Sequence, residues 1–72
     1  MTVHFASVGD IREFVSLASL QTYGIEVCDE SHCVNAKSFM ELFTLDFTKP
    51  LTVRVDGGRE ADFAAAAEKF IR

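Results

Sequence analysis

Ser38, in the run Val34-Asn35-Ala36-Lys37-Ser38-Phe39-Met40-Glu41-Leu42-Phe43, is the residue best placed by type and spacing to do chemistry. It stands three residues ahead of Glu41, the spacing of a capping box. In that motif the hydroxyl accepts from the Glu41 amide and the carboxylate reaches back to the Ser38 amide. The same hydroxyl is a candidate phosphate acceptor, because a phosphate at a helix start meets free backbone amides and the positive end of the helix dipole. Phe39, Met40 and Phe43 follow within little more than a turn. They cannot all point inward from a short helix whose buried stripe runs through Leu42 and Leu45. An exposed aromatic and methionine face is a docking surface for a protein partner, with a homodimer contact or an extended core as its other uses.

The remaining candidates offer less. Cys28 and Cys33 flank Asp-Glu-Ser-His across an expected hairpin turn. Two cysteines do not make a disulfide framework, and the expectation is a pair of reduced, partly buried thiols. A zinc site from Cys28, His32 and Cys33 lacks a fourth ligand and the C-x-x-C spacing, so neither metal nor cofactor is expected. Asp10 and Glu13 have the spacing of a helix cap, and Asp56, Glu60 and Asp62 read as a solvated acidic turn. No Ser, His and Asp set and no phosphate-cradling glycine loop can be assembled, so the chain is not expected to be an enzyme.

The elements that must position these residues belong to one domain of 72 residues, 49% of them apolar and seven of them phenylalanine. That composition suits a folded, soluble domain and argues against disorder. The net charge of −4, with no basic run, argues against nucleic-acid binding. No stretch approaches the roughly 20 apolar residues of a membrane span, and no signal region is evident, so a cytoplasmic location is expected.

Val3 and Phe5 alternate in a first strand over 2–6. A first helix begins with Asp10 as its cap and Glu13 at the capping-box position. It continues through Ile11, Phe14, Val15 and Ala18, and Gly24 stops it. Ile25 to Cys28 and Cys33 to Ala36 read as a hairpin about the polar 29–32 turn. A second helix runs from Ser38 to near Leu45 or Asp46. Leu51, Val53 and Val55 mark the clearest strand, and the Gly57-Gly58 turn leads to a third helix. In that helix Glu60 and Asp62 occupy the first turn, Phe63, Ala66, Ala67, Phe70 and Ile71 form the buried stripe, and Lys69 and Arg72 lie at the end. The order β-α-β-β-α-β-α predicts an α+β, open two-layer sandwich, with an antiparallel sheet covered by helices on one face.

This order, with V-N-A-K-S-F-M and the following Leu42, Phe43, Thr44 and Leu45, resembles the HPr family, the phosphocarriers of the phosphoenolpyruvate:sugar phosphotransferase system. The resemblance extends from about Asp10 to Ile71 and implies a four-stranded sheet with three helices on one face. It also implies two functional positions. The first is a histidine in a G-x-H-A-R-P-type loop at the start of the first helix, which takes a phosphoryl group from enzyme I. Here the stretch reads S-V-G-D-I-R-E, shorter and without histidine or proline. Ser7, the nearest residue by ungapped counting, would form a phosphoester too stable to pass on. His4 lies in the first strand, His32 in the hairpin, and Arg12 one turn deeper than the family arginine.

The second position matches Ser38, which in some members is phosphorylated by a dedicated kinase to permit binding of a transcriptional regulator. Where the family commonly has glycine this chain has Glu41, whose carboxylate opposes a phosphate dianion and favours the cap. The resemblance thus implies a non-catalytic HPr-like protein in which Ser38 serves first as a helix cap, with regulatory phosphorylation as its alternative use. Its partner, phosphotransferase enzyme I, HPr kinase or a transcriptional regulator, would dock on Lys37, Phe39, Met40 and Phe43. Two alternatives stand beside it: a phosphocarrier using a non-standard residue, and a small Cys/His metal or redox module.

Overall fold

The computed structural model describes residues 1–72. Strands β1 (Thr2–Val3), β2 (Ile25–Cys28), β3 (Cys33–Asn35) and β4 (Leu51–Val55) form a single sheet in the order β1-β4-β2-β3, with every pairing antiparallel. Helices α1 (Val8–Ser19), α2 (Phe39–Leu42) and α3 (Glu60–Ala66) complete the expected β-α-β-β-α-β-α order.

The period-2 pattern of the strands explains why the sheet has one covered face and one open one. Val3, Ile25, Val27, Val34, Leu51 and Val53 are buried, while Glu26, Asn35, Thr52 and Arg54 alternate with them and are exposed. Val27 lies opposite both Val34 and Val53, so a one-residue slip of β2 would turn its apolar side chains outward. Against the covered face α1 lays Ile11, Phe14 and Ala18, α2 lays Leu42, and the C-terminal segment lays Phe63, Ala67 and Phe70. Phe14 is fully buried and meets Phe5, Phe63 and Phe70 edge-on, with centroids 5.0, 5.5 and 5.8 Å away. These separations are those at which aromatic quadrupoles attract.

Several boundaries differ from the sequence-based expectation, each for an identifiable reason. The cap of α1 is Ser7 rather than Asp10. Asp10 is the third helical residue, where its amide donates to Ser7 Oγ at 3.2 Å and its carboxylate accepts from the Ala6 amide at 2.9 Å. The cap thus lies three residues before the expected Asp10, and the Asp10 carboxylate reaches past the cap residue to the amide of Ala6. Gly24 does not stop α1, which ends at Ser19 with Leu20 as its cap. The glycine instead makes room, since a Cβ there would fall 2.5 Å from Asp56 Oδ2.

Strand β1 stops at Val3 because the chain then turns to the C-terminal segment: the His4 amide donates to Phe70 O at 2.9 Å, and Val3 bridges Ile71. Ile71 is accordingly extended and α3 ends at Ala66, followed by a single 3-10 turn over Glu68–Phe70. Ala66 is exposed; in the run Ala64 to Ala67 every position carries the same methyl, so the run itself does not say which side is buried. Between β4 and α3, Gly57 and Gly58 have φ of +70° and +68°, a left-handed turn open to glycine at little cost.

Candidate docking site

Ser38 caps α2 as its spacing predicts: the Glu41 amide donates to Ser38 Oγ at 3.4 Å. The reciprocal bond takes a different course. Glu41 Oε1 accepts from the Asn35 amide at 3.5 Å, while the Ser38 amide donates to Asn35 O at 3.0 Å. The carboxylate therefore ties the helix to the end of β3. The helix itself is one turn, Phe39–Leu42, capped by Phe43 and continued by turns to Leu45, so it is shorter than expected.

The one-turn helix leaves its apolar side chains split as the stripe argument requires. Leu42 and Leu45 are buried, Phe39 is half-buried, and Met40 and Phe43 remain 76% and 41% exposed. Phe39 and Phe43 meet edge-on at 4.8 Å, and the Arg12 guanidinium lies 5.4 Å from the Phe39 centroid. Such cation–π contacts hold a cation over an aromatic face. Lys37 is turned away from this group: its Nζ donates to Gln21 O at 2.9 Å, just past the end of α1. It anchors α1 to the β3–α2 connection.

The exposed face continues into a depression that the sequence reading did not anticipate. Phe5, Ile11 and Phe47 floor a hollow of about 270 Å³ between the start of α1 and the end of α2, and Ser7, Val8 and Phe43 stand at its rim. Phe43 and Phe47 meet edge-on at 6.2 Å, and Phe47 in turn meets Phe5 at 6.3 Å. Val8 is 52% exposed on the first turn of α1. These residues come from two separate stretches, 5–11 and 43–47, so no periodicity within one segment could have grouped them.

No protein-family model matches the chain, and no curated protein matches it. Among solved structures, the chain is similar to Crh of Bacillus subtilis, a catabolite repression protein that crystallised as an intertwined, domain-swapped dimer. The two superpose with a TM-score of 0.69 over 100% of this chain and 88% of Crh, at 22% identity. The fold is HPr-like.

In this HPr-like chain the start of the first helix carries Ser7, and neither histidine stands there. His4 lies between buried Val3 and Phe5 and lines a hollow with Pro50 and Arg72. His32 belongs to the β2–β3 turn, where its Nδ1 is 3.3 Å from Asp29 Oδ1 and its Nε2 is 2.9 Å from Thr44 Oγ1. The Thr44 hydroxyl also donates to Glu41 O at 2.7 Å, which ties the turn to α2.

Asp29 organises the same turn. Its Oδ1 accepts from the His32 and Ser31 amides at 2.8 and 2.7 Å, and these two bonds hold its carboxyl below the usual carboxylate range. Its Oδ2 accepts from the Asp46 amide at 3.1 Å. Asp46 is held low as well, first by the Thr48 hydroxyl and then by the Thr48 amide.

Cys28 and Cys33 correct the expectation of reduced thiols, since they are joined by a disulfide. They are directly opposite in the β2–β3 ladder, with Cα atoms 4.0 Å apart, so their side chains meet on the open face of the sheet. With the sulfurs bonded to each other and His32 engaged by Asp29 and Thr44, this trio does not offer a thiolate metal site.

Proposed function

We propose that the chain is a non-catalytic HPr-like module that binds a protein partner through the face formed by Phe39, Met40, Phe43 and the adjoining hollow at the start of α1. The observation that carries this reading is the continuity of that surface. Exposed Phe43 and Val8 stand at the rim of a hollow lined almost wholly by apolar side chains, and exposed Met40 lies three residues before Phe43 on the same turn, whereas the open face of the sheet presents Glu26, Asn35, Thr52 and Arg54. Apolar surface of this kind gains from being covered, and an unbranched thioether beside an aromatic ring adapts to a partner's shape. Arg12 at the edge of the patch adds one charged contact to orient that partner.

The HPr-like fold supports partners from the sugar phosphotransferase system, in a cytoplasmic setting. Enzyme I, HPr kinase and a transcriptional regulator are the probes to use. Titration of isotopically labelled protein with each should shift amide signals at Val8 and Phe39 to Phe43 for at least one of them. Met40→Glu with Phe43→Glu should abolish those shifts. Unmoved spectra with all three would overturn this choice of partners. Concentration-dependent dimerisation through the same residues would assign the face to a second copy of the chain, an assembly for which the swapped dimer of Crh is a precedent.

Ser38 acts on this reading as the cap that holds the docking turn in place, with regulatory phosphorylation as a second use of its partly exposed hydroxyl. Incubation with HPr kinase and ATP tests the second use directly, and an unmodified Ser38 removes it while leaving the docking face intact. Labelling with enzyme I and phosphoenolpyruvate tests the non-catalytic assignment: an acid-labile phosphoryl group on the chain would overturn it.

A further inference from the structure

Outside the docking face, the Cys28–Cys33 bond is the feature to which nothing so far assigns a role. The backbone bonds Asp29 N to His32 O, 3.0 Å, and Ala36 N to Ile25 O, 2.9 Å, place the cysteines at a non-hydrogen-bonded position of the β2–β3 ladder, where opposite side chains stand closest. Register there is held independently of the sulfurs by the pairing of β2 with β4 and by buried Val27 and Val34. Cys28 is buried but lies outside the contiguous cluster of 16 core residues, and Cys33 is exposed. The bond closes a loop with a sequence separation of only 5, so it constrains the unfolded chain less than a bond across a long loop would. It is therefore poorly placed to serve as a staple for the fold.

It is well placed for thiol exchange. The two half-cystines differ in access: Cys28 is 8% exposed and Cys33 is exposed, so an incoming thiolate reaches Cys33 Sγ first. The turn between them also connects to the docking helix. Asp29 receives the Asp46 amide, and His32 Nε2 is hydrogen-bonded to Thr44 Oγ1, which itself bonds Glu41 O in α2. These two bonds join the turn to the segment that follows α2.

We propose that Cys28 and Cys33 form a reversible redox pair, reduced by an external dithiol, and that reduction loosens the Asp29–His32 turn from Thr44 and Asp46. One thiolate of the dithiol attacks Cys33 Sγ, the Cys28–Cys33 bond breaks, and Cys28 leaves as a thiolate that takes up a proton. The second thiol of the reagent then displaces Cys33 from the mixed disulfide. Two electrons and two protons pass to the protein, and the reagent becomes a disulfide. Because the ladder keeps the thiols opposite one another, re-oxidation needs no search for the partner.

The test equilibrates the folded chain in anaerobic buffers of graded reduced to oxidised dithiothreitol, with alkylation and mass spectrometry to count thiols and amide spectra to report position. The expected result is a single reversible step that gains two alkylated thiols, with unchanged far-UV circular dichroism. Amide shifts should be confined to residues 28–33 and to Thr44 through Asp46. The Cys28→Ser, Cys33→Ser double variant should show the reduced-state shifts in either buffer. A bond that resists reduction until denaturant is added would overturn the redox pair, as would global unfolding on reduction. Shifts at residues 28–33 with Thr44 and Asp46 unmoved would overturn the coupling.

Discussion

At the scale of single residues, Ser7 and Ser38 perform the same task at two helix starts, each accepting the amide of the residue three places on. Replacing either by alanine should lower stability by about 1 kcal/mol, and Ser38→Asp, which keeps an acceptor, should lose less, as read by urea unfolding. Asp29 predicts a pH dependence with a definite sign. Hydrogen bonds from His32 and Ser31 depress its pKa in the folded state, so it contributes stability above the unfolded value of about 3.9. That contribution is lost as pH falls through the lower folded value. Asp29→Asn should therefore be less stable than the parent at neutral pH, with the gap closing in acid below about pH 3.9. Paired unfolding curves at the two pH values check it, and a gap that widened in acid would refute it. Lys37 makes a different point, since its amine bonds Gln21 O and a substitution there reads out the joint between α1 and α2 as well as any surface charge.

At the scale of elements, α1 is joined to the C-terminal segment by a cluster of rings centred on Phe14. Phe14→Ala should cost about 3–5 kcal/mol. In a domain whose whole stability is of order 5–15 kcal/mol, that leaves a large unfolded fraction visible by circular dichroism. The Glu13–Lys69 ion pair links the same elements at the surface, with side chains 47% and 59% exposed, and its removal should change stability by less than about 1 kcal/mol. The β4–α3 connection depends instead on backbone freedom. Gly57→Ala places a side chain at φ +70° and should cost about 1–2 kcal/mol in thermal or urea unfolding.

At the scale of the molecule, the proposed docking face and the fold draw on different residues of the same layer. Leu42, Leu45 and Ile11 hold α1 and α2 to the sheet, while Met40, Phe43 and Val8 project from the same segments. Met40→Glu should therefore shift unfolding free energy by no more than about 0.5 kcal/mol, and Phe43→Glu, which gives up ring contacts with Phe39 and Phe47, by about 1–2 kcal/mol, each while removing partner binding. A large loss of stability in either variant would instead place that side chain in the fold. No helix is long and apolar enough to cross a membrane, and the open sheet face is polar, so the helical side presents the main apolar surface available to a partner.

What the chain alone determined was local. The strands at 25–28 and 51–55, the polar turn between the cysteines, the Ser38 cap and the split face of the second helix all follow from periodicities and cap spacings that act over a few residues. Even the β-α-β-β-α-β-α order is a sum of such local signals. Only the tertiary structure decided which residues share a site. It brought Phe5 and Val8 beside Phe43 and Phe47, took the Lys37 amine to Gln21, sent the Glu41 carboxylate to Asn35, and set Cys28 opposite Cys33. Each of these depends on strand register or on how one helix lies across another. Such relations arise from burying several apolar faces together, and a pattern read within one segment specifies which face is apolar but not what will cover it.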